Sequence, residues 1–393
     1  MGKREVVILS AVRTAVADFG GSLKTTPPTE LAARVIAEAV ERSGTEAAEV
    51  DHCVVGSVIH TDRRDMYMAR TASIKAGLPI ETPALTVNRL CGSGLQAVIS
   101  AAQMILLGDA DTVVAAGAES MSRAPYWLPD ARFGSKMGDG GTVDPMLGAL
   151  TCPIGDTHMG ITAENLAEKY SITREQQDAL AAESHRRAQR AIEEKRFQEQ
   201  ILPVEIKTRK GVTVFAQDEH VRFDCDVSSM SGLRPAFKPD GSVTAGNASG
   251  INDGAAALVM MERAVAEARG LQPMARMLGY AVAAVDPAIM GIGPAPAVRQ
   301  LLQKTGVSVD EIDLWEANEA FAAQAQAVTQ ELGLDSQKVN PNGSGISLGH
   351  PIGATGAIIS VKALYELQRT GGRYAVATLC IGGGQGIAAL FER

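Results

Sequence analysis

The chain of 393 residues is longer than one ordinary hydrophobic core sustains, which predicts two or three packed units. With 46% apolar and 21% charged residues it lies in the globular range, away from disordered and membrane-embedded compositions. Its 37 basic and 45 acidic side chains leave a net charge of −8, which argues against general attraction to nucleic acid or an anionic membrane.

In chain order, "MGKREVVILS" runs straight into a strand-like apolar run without the pattern of a secretory signal. No stretch approaches the roughly 20 uninterrupted apolar residues that span a bilayer. A cytoplasmic location is expected. "TELAARVIAEAVERSG" reads as an amphipathic helix ending at Gly44. The strand-like "ALTV" then leads through "NRLCGSG" into an apolar helix that ends near Gly108, followed by a short buried strand, Thr112 to Ala116. Met121 to Pro153, rich in Gly, Pro, Met and Arg, reads as an extended loop, and Thr162 to Gln200 as charged amphipathic helix with Thr173 as an N-cap. "TAGNASGINDGAAALVMMERAVAEARG" returns to a turn, a buried strand and a helix. Next come the helix "APAVRQLLQKTG", the strand-like "IDLWEA", the glycine-rich "NPNGSGISLGHPIGATG" opening another apolar helix, and a last strand, Tyr374 to Thr378, before "TLCIGGGQG".

A repeat underlies this order. "SGTEAAEVDHCVVG" overlies "TGVSVDEIDLWEAN" at an offset of 262, the difference between Gly44 and Gly306. The same offset carries the helix opened by Gly94 onto the one opened by Gly356, and Ser100 onto Ser360. Two similar halves of helices crossing a largely parallel sheet are therefore predicted, with an insertion interrupting the first. The expected division is 1–119 with 245–272, an inserted 120–244, and 273–393.

Five cysteines with no CxxC pair suggest neither a disulfide framework nor a zinc site, so the thiols are expected to be free. Cys91 stands where a strand turns into a helix, and the free amides and positive end of the helix dipole favour a thiolate there, below the usual thiol value of about 8.5. His350 precedes Gly353, the repeat equivalent of Cys91, by three residues. Packing of the halves about a pseudo-two-fold axis would bring imidazole and thiol together as base and nucleophile. Cys380 follows the last buried strand beside glycines that expose backbone N–H groups, and Asn318 sits at a polar strand tip suited to orienting water or substrate. "CIGGGQG" lacks the Lys-Ser/Thr of a phosphate loop, and no G-x-G-x-x-G joins strand to helix, which speaks against nucleotide hydrolysis and dinucleotide redox chemistry.

"VNRLCGSGLQAV", "EANEAFAAQ", "NPNGSGISLGHPIGATG" and "TLCIGGGQG", in this order and spacing, resemble the thiolases. The likeness runs from Glu5 to Glu392 and includes "HMGITAENLA" and "TAGNASGINDGAA"; within the family it is strongest to bacterial acetyl-CoA acetyltransferases and short-chain β-ketothiolases that feed polyhydroxyalkanoate synthesis. The resemblance implies an α/β thiolase fold: two βαβαβαββ halves in a five-layered α-β-α-β-α core with an inserted loop domain. It implies an acyltransferase in which Cys91 accepts the acyl group, His350 activates it, and Cys380 acts as acid and base on the substrate α-carbon. His350 and a water on Asn318 would serve the enolate, and the N–H groups of Cys91 and Gly382 the tetrahedral intermediate. Coenzyme A thioesters are implied as substrates, with no permanently bound cofactor and no metal. Ser249 and Met159 would lie beside the pantetheine and Arg222 near the nucleotide, with His158, Leu233, Ala245, Phe237 and Phe321 along the same tunnel. The loop from Met121 to Pro153 resembles the family's tetramer-forming loop. Two departures, "GSGISLGHP" for the commoner "GGAIALGHP" and "CGSG" for "CSSG" or "CASG", keep small residues and bear on chain length; a short-chain pocket is expected. The alternatives are a degradative 3-ketoacyl-CoA thiolase and a catalytically silent carrier of the same fold.

Overall fold

A computed structural model describes residues 4–209 and 211–393. Its main elements are strand β1 (Val6–Thr14), helix α1 (Pro28–Ser43), β2 (His52–Gly56), β3 (Ala84–Val87), α2 (Ser93–Leu107), β4 (Thr112–Ser120), α3 (Met159–Lys169), α4 (Arg174–Glu193) and β5 (Asn252–Glu262). The second half continues with β6 (Ala275–Ala284), α5 (Pro294–Thr305), β7 (Leu314–Ala317), α6 (Ala322–Leu332), α7 (Thr355–Thr370), β8 (Tyr374–Ile381) and β9 (Gln385–Glu392). The strands follow the order β7-β8-β9-β6-β1-β5-β4-β2-β3, and the halves meet where β1 pairs antiparallel with β6.

The repeat is structural at the predicted offset. Gly44 and Gly306 both end a helix in the left-handed conformation, with φ 68° and 74°, where a β-carbon would be strained. One turn later Glu46 and Ser308 each close a capping box on a short 3₁₀ helix, Ala47–Glu49 and Val309–Glu311. His52 and Leu314, Ser93 and Thr355, and Thr112 and Tyr374 open equivalent strands and helices.

Alternation along the strands sets the layers. Val7 and Leu9 of β1 point outward onto Leu31, Val35 and Ile36 of α1, whereas Val6 and Ile8 point inward onto Val98 and Ile99 of α2 and Ile358 and Ile359 of α7. In the second half Val376 and Leu390 face Val298 and Leu301 of α5, while Leu379, Ile381 and Phe391 turn toward α2 and α7. The central helices thus lie between the two sets of strands, with α1 and α5 outside, giving five layers. This explains why the run from Leu90 to Leu107 is so apolar: most of it is enclosed by protein.

Where α2 and α7 cross, a β-carbon on Gly94 would lie 2.6 Å from the Ala357 nitrogen, and one on Gly356 would lie 2.7 Å from the Leu95 β-carbon. Glycine at both related positions lets the two helix starts touch backbone to backbone.

Some expectations need correction. The expected helix over Thr162 to Gln200 is two helices, α3 and α4, broken at Tyr170–Thr173; Ser171 has φ 52°, and Thr173 caps α4 as expected. β4 and β8 run to Ser120 and Ile381, past the predicted Ala116 and Thr378, because the antiparallel partners β5 and β9 continue the ladders after the parallel neighbours have ended. Cys380 consequently lies within β8 rather than after it, and β8 is followed by β9. The loop after Ser120 contains a short helix, Pro145–Ala149, capped by Asp144.

Candidate active site

The turn before α2 is held in an uncommon shape. Leu90 has φ 46°, a region that leucine rarely occupies. Its N–H donates to the Asn88 side-chain oxygen at 2.9 Å, while the Ser93 hydroxyl accepts the Arg89 N–H at 2.8 Å and donates to the Leu90 carbonyl at 2.7 Å. This clasp aims Cys91 between the halves. Cys91 is half-buried, packed by Val58, Ile59, Met121, Ile251 and Ile352, and the backbone N–H groups of Gly382 and of Cys91 itself lie near enough to favour its ionised form.

The helix start was expected to lower the thiol's pKa, but burial dominates and pushes it up to about 11, against the two N–H groups and with the nearby Glu119 carboxyl adding to the rise. Cys91 therefore rests as a thiol and needs a base. Cys380, 1% exposed, is pushed still higher, first by burial and then by the charge of neighbouring Cys91. It packs with Met159, Phe321, Met290 and Cys152.

His350 lies just after the helical turn Gly345–Leu348 and is 4% exposed. Burial pushes its pKa down to about 4, so the imidazole is neutral near pH 7. Its Nδ1 is 2.7 Å from the Thr355 hydroxyl, whose own hydrogen goes to the Pro351 carbonyl at 2.9 Å. The hydroxyl can then only accept, so Nδ1 carries the proton and Nε2 is left as the basic lone pair. The Asn318 side-chain nitrogen lies 3.3 Å from Nε2, while its buried oxygen has no protein partner and is free to hold a water. The N–H of Asn318 donates to Thr378 of β8 at 2.9 Å, tying this tip to the strand that bears Cys380.

A cavity of about 540 Å³ is lined by His350, with Met121, Ile251 and Ile352 of the wall around Cys91, while neither thiol is among its lining residues. Seven of the eight residues expected beside the ligand line it: His158, Met159, Arg222, Phe237, Ala245, Ser249 and Phe321, together with His350. Phe237 stacks on His158 at 4.7 Å and meets the edge of Phe321 at 6.1 Å, which makes one wall aromatic. Leu233 is the exception; it packs under Gly246 and beside Met230, away from the lining.

Sequence reasoning missed four contributors. Asp18 pairs with His220 at the cavity mouth, and the Asn252 side chain donates to Asp18 at 3.4 Å while accepting the His350 N–H at 2.9 Å. Thr355 sets the tautomer of His350. The links through Asp18, His220 and Asn252 cross long sequence separations, whereas Asn252 and Thr355 lie inside the quoted "INDG" and "GHPIGATG" without a role that the motif revealed.

The N-terminal thiolase domain matches residues 6–264 and the C-terminal thiolase domain residues 271–393. The Beta-ketothiolase BktB of Cupriavidus necator is 62% identical over 391 residues, 99% of each chain, and an acetyl-CoA acetyltransferase of Pseudomonas aeruginosa is 52% identical over 99% of this chain and 100% of its own. The crystal structure of the Bacillus anthracis acetyl-CoA acetyltransferase superimposes with a TM-score of 0.97 at 51% identity, over 99% of both chains. Human mitochondrial 3-ketoacyl-CoA thiolase in complex with CoA superimposes with a TM-score of 0.96 at 41% identity, over 99% of this chain and 98% of its own.

Proposed function

The chain belongs to the thiolase family, and from that premise we propose that it is an acetyl-CoA C-acyltransferase, a β-ketothiolase joining acetyl-CoA to acetyl-CoA or another short acyl-CoA by reversible Claisen condensation. The observation that supports this reading most is the closeness of the two thiols from opposite halves, near enough for Cys91 to raise Cys380, beside a neutral His350 that lines the cavity with seven of the expected ligand residues.

Nε2 of His350 takes the Cys91 proton. Transfer creates opposite charges side by side, and their attraction offsets the burial cost each would meet alone. The thiolate attacks the acetyl-CoA carbonyl carbon, the carbon–sulfur bond to CoA breaks, and the departing thiolate takes its proton from Cys380. A second acyl-CoA enters. The Cys380 thiolate removes its α-proton, and the resulting carbanion attacks the Cys91 thioester. The bond to Cys91 breaks, the 3-ketoacyl-CoA leaves, and His350 returns the first proton. Burial that raises the proton affinity of Cys380 suits it to a weakly acidic carbon. The N–H groups of Gly382 and Cys91, which favour negative charge on the sulfur, would receive the carbonyl oxygen as charge develops.

Coenzyme A would lie with its pantetheine along Ser249, Met159 and His158 and its nucleotide toward Arg222 and His220. Met290, Phe321 and Cys152 crowd Cys380 and favour a short acyl chain. The degradative 3-ketoacyl-CoA reading uses the same chemistry in reverse; relative rates with C4, C5 and C6 3-ketoacyl-CoA separate the two. The silent-carrier reading is disfavoured because every reactive group is present. Exposed Tyr126, Trp127, Phe133 and Met137 support a tetramer built through this loop, which light scattering tests. Free cysteines and the acidic charge suit a cytoplasmic enzyme. The direct test is peptide mass spectrometry after incubation with acetyl-CoA: an acetyl group on Cys91 is expected, and an unmodified Cys91 refutes the reading.

A further inference from the structure

Glu119, at the end of β4, is fully buried, and among the described residues it has no ion-pair partner. Its carboxyl instead accepts three backbone N–H groups from two separate segments: Val58 and Ile59, each at 3.1 Å, and Gly353 at 2.9 Å. Gly353 has no room for a β-carbon, which would run into this carboxyl. Val58 and Ile59 form part of the wall against Cys91, and Gly353 lies three residues after His350. One side chain thus clamps the surroundings of the nucleophile to those of its base.

We propose that Glu119 is a positioning residue that also acts through its charge. It holds the 58–59 segment and the His350 loop in register around Cys91, and its charge, once it ionises, opposes ionisation of Cys91. The inference rests on the reading of Cys91 as the nucleophile. The other titratable group shown near the sulfur is Cys380, and Asp65 faces Glu119 from the 3₁₀ turn Asp65–Tyr67. Burial raises Glu119 to about 8 against the pull of its three N–H donors, so its charge acts mainly in the alkaline range where Cys91 itself ionises.

The test is the pH dependence of Cys91 alkylation by iodoacetamide between pH 7 and 11, which requires no coenzyme A and is read by peptide mass spectrometry. Glu119→Gln keeps an oxygen for Val58 and Gly353 and removes the charge. Its alkylation midpoint should fall by about one pH unit, which raises alkylation below the midpoint roughly threefold once the lower nucleophilicity of a more acidic thiol is counted. Acylation by acetyl-CoA should meanwhile slow, because the Ile59 bond is lost. Glu119→Asp keeps the charge and shortens the reach, so it should slow acylation with an unmoved midpoint. A folded Glu119→Gln with the wild-type midpoint overturns the proposal, as does a Glu119→Asp midpoint displaced as far as that of Glu119→Gln. If Glu119→Gln does not fold, Glu119→Asp decides: an unmoved midpoint with slowed acylation supports the proposal, and a lowered midpoint or unchanged acylation overturns it. Absence of acetyl transfer in the wild type would instead defeat the nucleophile reading and leave the alkylation midpoints interpretable.

Discussion

Adding one methyl group where the helix starts cross should damage catalysis more than stability. In Gly94→Ala the new β-carbon would stand 2.6 Å from the Ala357 nitrogen, 3.0 Å from the Ala354 carbonyl oxygen and 3.1 Å from that of Gly353. Ordinary contact begins near 3.4 Å, so the nearest pair must separate by about 3.4 − 2.6 = 0.8 Å. Every atom met is backbone, so no side chain can swing aside. Overpacking of this kind costs about 1–3 kcal/mol, or roughly 1–4 °C in melting temperature for a chain of this size. The catalytic loss should be larger, because Gly94 is three residues from Cys91 and the atoms it pushes are in the turn that follows His350. A misplacement near 1 Å between reacting groups costs about 100-fold in rate. Acetoacetyl-CoA thiolysis is the assay, with thermal unfolding in parallel and Gly140→Ala, whose β-carbon meets nothing within 4 Å, as the control. A Gly94→Ala protein with turnover within twofold of wild type would refute the claim that this contact sets the geometry.

Cys380→Ser should still form the acetyl-enzyme on Cys91 but lose acetoacetyl-CoA cleavage by more than about 100-fold, since a buried hydroxyl is a far poorer base than a thiolate; equal loss of both steps would remove the division of labour. With His350 pushed down to about 4, its imidazole stays neutral and basic through pH 6, so the acid limb of the Cys91 acylation rate should fall near pH 4 to 5 rather than at the ordinary histidine value of 6.5. The same shift has a stability sign: the unfolded chain takes up this proton below pH 6.5 while the folded one resists until about 4, so stability drops across that window by about 3 kcal/mol at most, measurable as a smaller drop in His350→Gln. Arg222→Ala should raise KM for acetoacetyl-CoA by roughly fivefold, more at low salt, and leave KM for an acetoacetyl-pantetheine analogue unchanged; equal changes would place Arg222 away from the nucleotide.

Much of the candidate site was legible because its parts sit at chain punctuation. Cys91 and His350 lie at glycine-marked turns, and the 262-residue offset related those turns before any contact was known. Glu119 and Asp18 left no such mark, and Thr355 and Asn252, though inside glycine-marked turns, could not be given a role, since a lone polar residue there reads equally as a cap or a surface group. Helix dipole reasoning gave the wrong direction for the Cys91 thiol because it weighed only the amides nearby in sequence. The apolar wall of Val58, Ile251 and Ile352 comes from three distant segments.

What the sequence by itself determined was the repeat, the order of helices and strands, and the identity of the reactive groups, because these depend on periodicity, turn chemistry and side-chain type, all local properties. Only the tertiary structure decided which groups share a protonation state and a solvent environment. Those depend on how completely atoms from both halves exclude water around two thiols and one imidazole.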